Sequence, residues 1–400
     1  MTTQYLDRII EIKKNLGPIT TLDCAQVDTI NAHRLLGQAA RAQIHKTLAK
    51  RLNDLGSADQ VAGQIRQARR YQAALNERNK IPGLDEIVKA AIGEYTACLS
   101  AWAEGAQLSD YHHTLLATNV DGLPIRANDL AMLLQEDETG CQTGVYREQD
   151  GSVILWHVEE DDEKTPGQHF DKLRLFSFRS HGGQVATAFI YPDLLPGPTF
   201  GWQGDNFVQA VDTLHIKPVE IGSPILPNTL AWLGLYLGTM TTREKLAKYL
   251  GPFQGGYSLT AAHKKGGQVS VEKIEYANDE LTVSALENRA GSYLFQTNIL
   301  RDPSLPIGAY EQVSSESRAW NGARYARTSR FMRVVQRSDN ALPLVFRMLQ
   351  SRLGGESAYS NASVKAYLVC HMAPQITSMW VGAGAPMPDD DLFMVAKPVA

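Results

Sequence analysis

Residues 138–160 have the sequence ETGCQTGVYREQDGSVILWHVEE, and the interpretation of the whole chain starts from them. They contain two short runs typical of strands, GVYRE and SVILWHV, separated by Gln149-Asp150-Gly151. An Asp-Gly pair between two such runs is a strong local signal for a β-hairpin. The stretch therefore predicts a hairpin that begins just after Cys141.

The sequence before this hairpin is typical of helices. Apolar residues, Leu6 and Ile9 among them, recur at helical spacing near the N-terminus. Residues 35–76 are rich in Ala, Gln and Arg and contain few strand formers, and residues 85–106 continue the helical pattern. We therefore predict a mainly helical region over residues 1–140.

After the hairpin, strand patterns and helical patterns alternate. Period-two alternation predicts strands in residues 173–179, 185–191 and 268–274, and helices are predicted over residues 228–249 and 319–336. Such alternation indicates sheets covered by helices. The fold class predicted from the residues is α+β.

Composition and charge exclude several classes of protein. The chain is 44% hydrophobic and 20% charged, as in ordinary soluble proteins, and its net charge of -4 argues against general nucleic-acid binding. Its most apolar stretch, residues 230–240, is too short to span a bilayer. The four cysteines have no paired zinc or redox spacing. We expect a cytoplasmic, reduced protein without nucleic-acid or membrane partners.

Cys141 is the residue of greatest chemical interest. It follows Gly140 directly, and the chain has no GxSxG elbow, phosphate-binding loop or HExxH motif to compete with it. A thiol needs a nearby base, and a cysteine at a new chain terminus has one in its own α-amine, with a pKa of about 7.7–8.0. Gly140 suits a scissile position because glycine adopts backbone angles closed to other residues. Taken alone, a Cys after Gly is more often simply a small residue in a turn.

Several motifs around this step occur in the order seen in a known family. They are Ala103-Glu-Gly-Ala-Gln-Leu-Ser109, Gly140-Cys141 followed by Thr143, residues 150–160, residues 201–215, residues 256–259 with 269–272, Phe295-Gln-Thr297-Asn298, and Trp320-Asn321 to Arg327. Over roughly residues 90–335 the chain thus resembles the penicillin acyltransferase (isopenicillin N acyltransferase-like) family of N-terminal-nucleophile (Ntn) hydrolases.

This resemblance implies a fold and an activity. The fold would be a four-layer αββα sandwich, with the sheets and catalytic machinery in residues 141–400 and a preceding helical region, residues 1–140, that helps to form the substrate pocket. The chain would cleave itself between Gly140 and Cys141. Cys141 would then cleave a small linear amide, or transfer its acyl group, through a thioester. No metal or organic cofactor is implied. The expected partners are the substrate and the α and β fragments of the precursor, with a homo-oligomer left open.

The resemblance also implies catalytic roles beside Cys141. Asn298 would supply the oxyanion hole, and Asp212 would replace an Asn near the nucleophile. Glu160, or alternatively Glu159, would orient the α-amine or assist self-cleavage. Each residue has a plainer interpretation from the sequence: Asn298 as a turn cap, Asp212 as an exposed strand end, and the two glutamates as part of a solvated acidic turn.

Substrate binding is implied for three further residues. Arg324 or Arg327 would hold a substrate carboxylate through the guanidinium fork, although five arginines spaced along this helix also fit a basic surface. His157 is assigned to the pocket. A metal site formed by His157 and the acidic residues after it is disfavoured, because acidic turns are common without an ion.

The chain departs from the family pattern at four positions, Val158, Glu160, Asp212 and Gln296. One alternative is therefore a protein that has lost catalysis and serves as a binding or scaffold module. The other is a cysteine peptidase of a different fold that uses His157 or His181 as its base. Only the self-processing hypothesis requires a new amino terminus at Cys141.

Overall fold

The structure is a computed structural model that describes most of the chain. The described residues are 20–111, 119–135, 140–160, 174–191, 193–216, 222, 224–238, 243–278, 280–298, 315–338, 340–350, 364–375, 377–383 and 394–396. The apolar repeat near Leu6 and Ile9 that predicts a helix lies outside them, as do the acidic residues that follow Glu160.

Helices cover much of the described N-terminal region and recur later in the chain. They are α1 (Thr29–Leu55), α2 (Ala58–Arg78), α3 (Glu86–Gly105), α4 (Ala127–Leu134), α5 (Pro227–Leu237), α6 (Arg243–Leu250), α7 (Ser315–Val335) and α8 (Ala341–Gln350). Asp28, Ser57 and Asp85 cap the first three by accepting backbone N–H groups. Gly56, with a φ of 73°, separates α1 from α2, so the helical pattern of residues 35–76 belongs to two helices.

The strands form two large sheets and one small hairpin. They are β1 (Thr20–Asp23), β2 (Asn119–Val120), β3 (Leu123–Pro124), β4 (Gly140–Arg147), β5 (Val153–Glu160), β6 (Arg174–Arg179), β7 (Val185–Ile190), β8 (Phe200–Gln203), β9 (Phe207–Thr213), β10 (Gly256–Lys265), β11 (Gln268–Ala277), β12 (Glu280–Ala285), β13 (Tyr293–Gln296), β14 (Val364–Met372), β15 (Thr377–Ala383) and β16 (Met394–Ala396). The eight-stranded sheet has the order β1-β6-β7-β8-β9-β10-β11-β12, and the six-stranded sheet the order β13-β4-β5-β14-β15-β16.

The predicted hairpin is confirmed. β4 and β5 pair antiparallel around a turn in which Gly151 has a φ of 85° and Glu148 N–H donates to Ser152 O at 2.9 Å. The predicted strands that correspond to β6, β7 and β11 are also confirmed.

One prediction from the sequence is wrong in detail. Residues 228–249 do not form one helix, because Gly238, with φ 56° and ψ -125°, ends α5 before α6 begins. The described part of the N-terminal region is mainly helical but also contains strands that were not predicted. Thr20–Asp23 forms β1, which pairs in parallel with β6 at the edge of the eight-stranded sheet. A four-residue strand of this kind is defined by its distant partner, so its own sequence carries little signal.

Three apolar clusters show how these elements pack. The first lies between α1–α6 and one face of the eight-stranded sheet, with Trp102 and Phe176 among its members. The second joins the two sheets through residues such as Leu155 and Trp202. In the third, Trp156 and other residues on the outer face of the six-stranded sheet pack against α7 and α8. The fold class is α+β, as predicted, and β5 is buried on both faces.

Helices α1 and α3 cross at very short range because a glycine lies on each. A Cβ added to Gly37 would lie 2.2 Å from Trp102 O, and one added to Gly105 would lie 2.0 Å from Arg34 O. Since the obstacle is backbone in both cases, it cannot be relieved by a side-chain rotation. We expect Gly37→Ala to lower the free energy of unfolding by about 3 kcal/mol, measured by urea denaturation.

Gly63 in α2 provides the matched control for this prediction. Among the described residues, and apart from its chain neighbours and the nearby backbone of α2, no atom lies within 4 Å of a Cβ added there. Gly63→Ala should therefore stabilise the protein by about 0.5–1 kcal/mol through its helix propensity. Similar stabilities for the two variants would show that α1 and α3 are not in close contact.

Candidate functional site

The β4–β5 hairpin places four polar side chains on the face that meets the eight-stranded sheet. In the strand register Cys141 lies opposite Glu159, and Thr143 lies opposite His157. Because successive side chains alternate between the faces of a strand, all four share the face of Leu155, a member of the cluster between the sheets. Their exposed fractions are 0–1%, so water does not screen the interactions among them.

The carboxylate of Glu159 is the centre of this polar cluster. Its Oε1 lies 3.4 Å from the Cys141 sulfur and also accepts a hydrogen bond from the Tyr191 hydroxyl. Its Oε2 lies 2.9 Å from Nε2 of His157, whose Nδ1 is 2.8 Å from Oγ1 of Thr143. One carboxylate therefore contacts a thiol, an imidazole and a phenol.

Burial shifts the titration of two nearby groups in opposite directions. It lowers the pKa of His157 to about 4, against the opposing charges of Asp212 and Glu160. It raises the pKa of Asp212, on β9, to about 7, against the opposing influence of His157 and the Thr143 hydroxyl. Neither carboxylate oxygen of Asp212 makes a hydrogen bond of ordinary geometry within the described residues. At neutral pH the His157 imidazole is thus uncharged, while the Asp212 carboxyl is close to the midpoint of its titration.

Asn298 holds the backbone nitrogen of Cys141. Its Oδ1 accepts from the Cys141 N–H at 3.3 Å and from Arg324 Nη1 at 3.2 Å, while its Nδ2 donates to Thr213 O at 2.9 Å. Since both groups beside Oδ1 are donors and the group beside Nδ2 is a carbonyl, the network determines the orientation of the amide. Asn298 follows β13, and its own carbonyl accepts from His215 N.

Arg324, on α7, reaches the other face of the hairpin. Its Nη2 forms a 2.5 Å ion pair with Glu160 and lies 3.4 Å from the Cys141 carbonyl oxygen, while its Nη1 also bonds Asn321 at 3.1 Å. Gln142 donates to the second oxygen of Glu160 at 3.4 Å. Burial raises the pKa of the Glu160 carboxyl, and the Arg324 guanidinium opposes that shift. The interpretation of Arg324 as part of a basic surface is wrong, because only 1% of this residue is exposed.

The structure brings most of the predicted catalytic residues together. Asn298 binds the backbone nitrogen of Cys141, and His157, which was predicted as a substrate-binding residue, lies near the Cys141 sulfur. Asp212 is near enough to influence the pKa of His157. Glu160 faces α7, so the carboxylate at the sulfur is that of Glu159, the alternative considered from the sequence.

Two of the plainer interpretations are also wrong. Asp212 is fully buried rather than an exposed strand end, because β9 lies inside the eight-stranded sheet. Glu159 and Glu160 do not belong to a solvated turn, since both lie on the buried strand β5. Gly140 is the first residue of β4 and pairs with Glu160. Arg327 is partly exposed on α7, and its binding of a substrate carboxylate stays a prediction.

Sequence analysis missed several residues of this interior. Tyr191 follows the end of β7, and nothing in its local sequence indicates a contact with Glu159. Lys273 on β11 donates to Glu275 at 2.9 Å and to Gln296 at 3.1 Å, all three being buried between the sheets. Gln296 is one of the four positions at which the sequence departs from the pattern that it otherwise resembles, and Lys273 bonds to its side chain.

The arrangement is suited to two kinds of chemistry. A buried carboxylate in contact with a thiol can accept its proton and so create a nucleophile. In addition, Cys141, His157 and Glu159 each offer a metal-ligating atom, and these atoms lie within 4.8 Å of one another. Such a group of ligands was not expected from the spacing of the residues along the chain.

Comparisons with known proteins leave the family open. No protein-family model matches the chain, and no curated protein matches it. The resemblance to penicillin acyltransferases therefore stays a prediction, as do the cytoplasmic location, the amide substrate and any self-association. Among the described helices, none has the combination of length and apolar character that crossing a membrane requires.

Asp212 should make the stability of the protein depend on pH. The pKa of Asp212 is about 7 in the folded chain and close to 3.8 in the unfolded chain. As the pH rises between these values, the carboxyl loses its proton in the unfolded chain but keeps it in the folded chain. The free energy of unfolding therefore falls. We expect Asp212→Asn to unfold with a free energy about 3–4 kcal/mol higher than the parent at pH 8, with the difference closing towards pH 4. Urea denaturation at several pH values measures this.

Asp121, on an exposed turn, is the control for this comparison, with 61% of its side chain accessible. Asp121→Asn should change the stability by no more than about 0.5 kcal/mol at pH 8. If the effect of Asp212→Asn proved independent of pH, the pKa of Asp212 would have to be the same in the folded and unfolded chain.

Proposed function

We propose that this protein is a self-processing cysteine hydrolase of the Ntn type, with Cys141 as the nucleophile released by cleavage after Gly140. One observation carries the proposal: each polar group of Cys141 has a fitting partner. Glu159 contacts its sulfur, Asn298 binds its nitrogen and Arg324 binds its carbonyl oxygen. Any buried residue needs partners for its backbone N–H and carbonyl, but a structural cysteine in a core does not need a carboxylate at its sulfur.

The packing of the chain supports the same proposal. Helices cover the outer face of each large sheet, and the two inner faces meet in the second apolar cluster. That order of layers is the one expected of the αββα sandwich of Ntn hydrolases. Cys141 lies at the start of a strand in the six-stranded sheet and faces the eight-stranded one. We propose that this fold, with residues 141–400 as the catalytic part, is that of the chain.

Self-cleavage would begin with transfer of the thiol proton to the carboxylate of Glu159. The Cys141 sulfur then attacks the carbonyl carbon of Gly140, the C–N bond breaks, and the proton passes from Glu159 to the departing nitrogen. The product is a thioester between Gly140 and the Cys141 sulfur. Water hydrolyses this thioester to a new carboxyl terminus, the free thiol and a free α-amine.

In the cleaved protein the α-amine of Cys141 becomes the base for its own thiol. The thiolate attacks the carbonyl of a linear amide, the amine leaves with a proton, and water or a second amine takes the acyl group from sulfur. Asn298 keeps the new terminus in place through Oδ1. The second hydrogen on its Nδ2, the first being bonded to Thr213 O, is the proposed oxyanion donor.

Mass spectrometry with terminal sequencing tests the proposal. The purified protein should consist of two fragments, residues 1–140 and 141–400, and Cys141→Ala should give one intact chain. Cys98→Ala, at another buried cysteine, is the control and should still be cut. An intact parent chain, or a cut Cys141→Ala chain, would overturn it.

The same experiment separates the proposal from both alternatives, because neither requires a new amino terminus at Cys141. A scaffold or binding protein that has lost catalysis would remain a single chain. A cysteine peptidase of another fold would need an imidazole at the sulfur, whereas the ring nitrogens of His157 contact Glu159 and Thr143. His181, the other candidate base, lies partly exposed in the turn between β6 and β7. The geometry favours the carboxylate of Glu159.

A further inference from the structure

Three side chains of the buried cluster are arranged as ligands for a metal ion. The Cys141 sulfur lies 3.4 Å from one oxygen of Glu159, and His157 Nε2 lies 2.9 Å from the other. All three ligating groups fall within 4.8 Å of one another. In a tetrahedral zinc site, bonds of about 2.0–2.3 Å put neighbouring ligand atoms roughly 3.4–3.6 Å apart. Shifts of roughly 1 Å would bring these groups to that geometry.

We propose that Cys141, His157 and Glu159 bind a zinc ion that keeps the nucleophile inactive. Binding releases the thiol proton to solvent and forms a sulfur–zinc bond. The charges of a thiolate, a carboxylate and a dication then sum to zero, and a neutral imidazole adds none. Electroneutrality suits a site in which all three ligands are fully buried, because a net charge there would be costly.

Thr143 and Asp212 supply the surroundings that such a site needs. A histidine that binds metal through Nε2 must carry its proton on Nδ1 and donate it to an acceptor. Nδ1 of His157 lies 2.8 Å from the Thr143 hydroxyl oxygen, which can accept a hydrogen bond from the Nδ1–H group. The same hydroxyl can then donate to Asp212, whose two oxygens make no other ordinary hydrogen bond within the described residues. The burial of this carboxylate without an ordinary hydrogen bond among the described residues is an independent observation.

The inhibitory part of the inference depends on the proposed function. Zinc would hold the sulfur lone pair needed to attack Gly140 and the Glu159 oxygen needed to accept the thiol proton. Bound metal would therefore stop self-cleavage, and loss of the metal would permit it. A soft or borderline cation is expected, because thiolate and imidazole prefer zinc to magnesium or calcium.

A cobalt titration tests the site without reference to activity. Co²⁺ added to the chelator-treated protein, whether cut or uncut because all three ligands lie in residues 141–400, should produce a thiolate-to-cobalt absorption band that saturates at about one equivalent and disappears when Zn²⁺ is added. Cys141→Ala and His157→Gln should abolish the band, and Cys98→Ala should retain it. A parent protein without the band, or a band that persists in Cys141→Ala, would overturn the site.

A second measurement tests inhibition. Chain made by cell-free synthesis with a chelator should be cut, and Zn²⁺ should slow the cutting by at least about tenfold, as expected when the nucleophile is held as a metal thiolate. If the cobalt band forms but Zn²⁺ leaves the rate unchanged or increases it, the inhibitory assignment is wrong. If no cutting occurs even with chelator, the proposed function fails, while the cobalt band still decides the metal site.

Discussion

Glu159→Gln should slow cleavage at Gly140–Cys141 by about 100- to 1000-fold, the range typical for loss of a general base. Glutamine has the shape of glutamate, and its Oε1 can still accept from Tyr191. The glutamine amide cannot take the thiol proton, however, so the Cys141 sulfur has no base during self-cleavage. The α-amine that serves as its base later does not exist until the chain has been cut. Cell-free synthesis with a labelled amino acid, followed by electrophoresis over time, measures the rate at which the intact chain disappears.

Glu148→Gln on the same hairpin is the matched control. This residue bonds His371 and Ser152 at the opposite end of β4 and β5, so its charge is remote from the sulfur. We expect its cleavage rate to stay within about twofold of the parent, as for a residue outside the reacting groups. Should Glu159→Gln be cut as fast as Glu148→Gln, another group must deprotonate Cys141.

The second large effect is expected from Arg324→Met. The change leaves the Glu160 carboxylate buried without its counter-charge, which typically costs about 3–5 kcal/mol of folding free energy. It also removes the donors that hold Asn298 Oδ1 and the Cys141 carbonyl, so cleavage should be lost as well. Urea denaturation measures the stability, and electrophoresis measures the cleavage.

Two further variants make this prediction specific. Arg327→Met changes a partly exposed arginine one turn away and should alter stability by no more than about 0.5 kcal/mol. The double variant Glu160→Gln, Arg324→Met also removes the buried carboxylate that the single variant leaves without a counter-charge. It should be more stable than Arg324→Met alone but should still not be cut. Equal stability of the single and double variants would show that Glu160 takes up a proton once Arg324 is removed, so that no buried charge is left unpaired.

The pairing inside the hairpin could have been predicted from the sequence. Once the loop is taken as the three residues Gln149-Asp150-Gly151, counting outward from Glu148 and Ser152 puts Thr143 opposite His157 and Cys141 opposite Glu159. Alternation of side chains along a strand then distinguishes Glu159, on the face of Cys141, from its neighbour Glu160. Alignment with a family motif pointed to Glu160 as the catalytic carboxylate, whereas simple strand geometry points to Glu159.

Other features of the site could not have been predicted in this way. The contacts of Tyr191 with Glu159 and of Arg324 with Glu160 join positions 32 and 164 residues apart, and they depend on how the sheets and α7 pack. The burial of Asp212 has the same origin. A run of acidic residues is usually solvated, so composition alone gave the opposite expectation for β5.

The edge strand β1 has a consequence for the protein after it is cut. The piece that ends at Gly140 contributes β1 to a sheet whose other strands belong to the second piece, and helices α1–α4 cover that sheet. The two polypeptides would therefore stay interlocked in native buffer and part only on denaturation. Reassembly would then be a second-order reaction, and the melting temperature of the mature protein would rise with its concentration, which an uncut monomer cannot show.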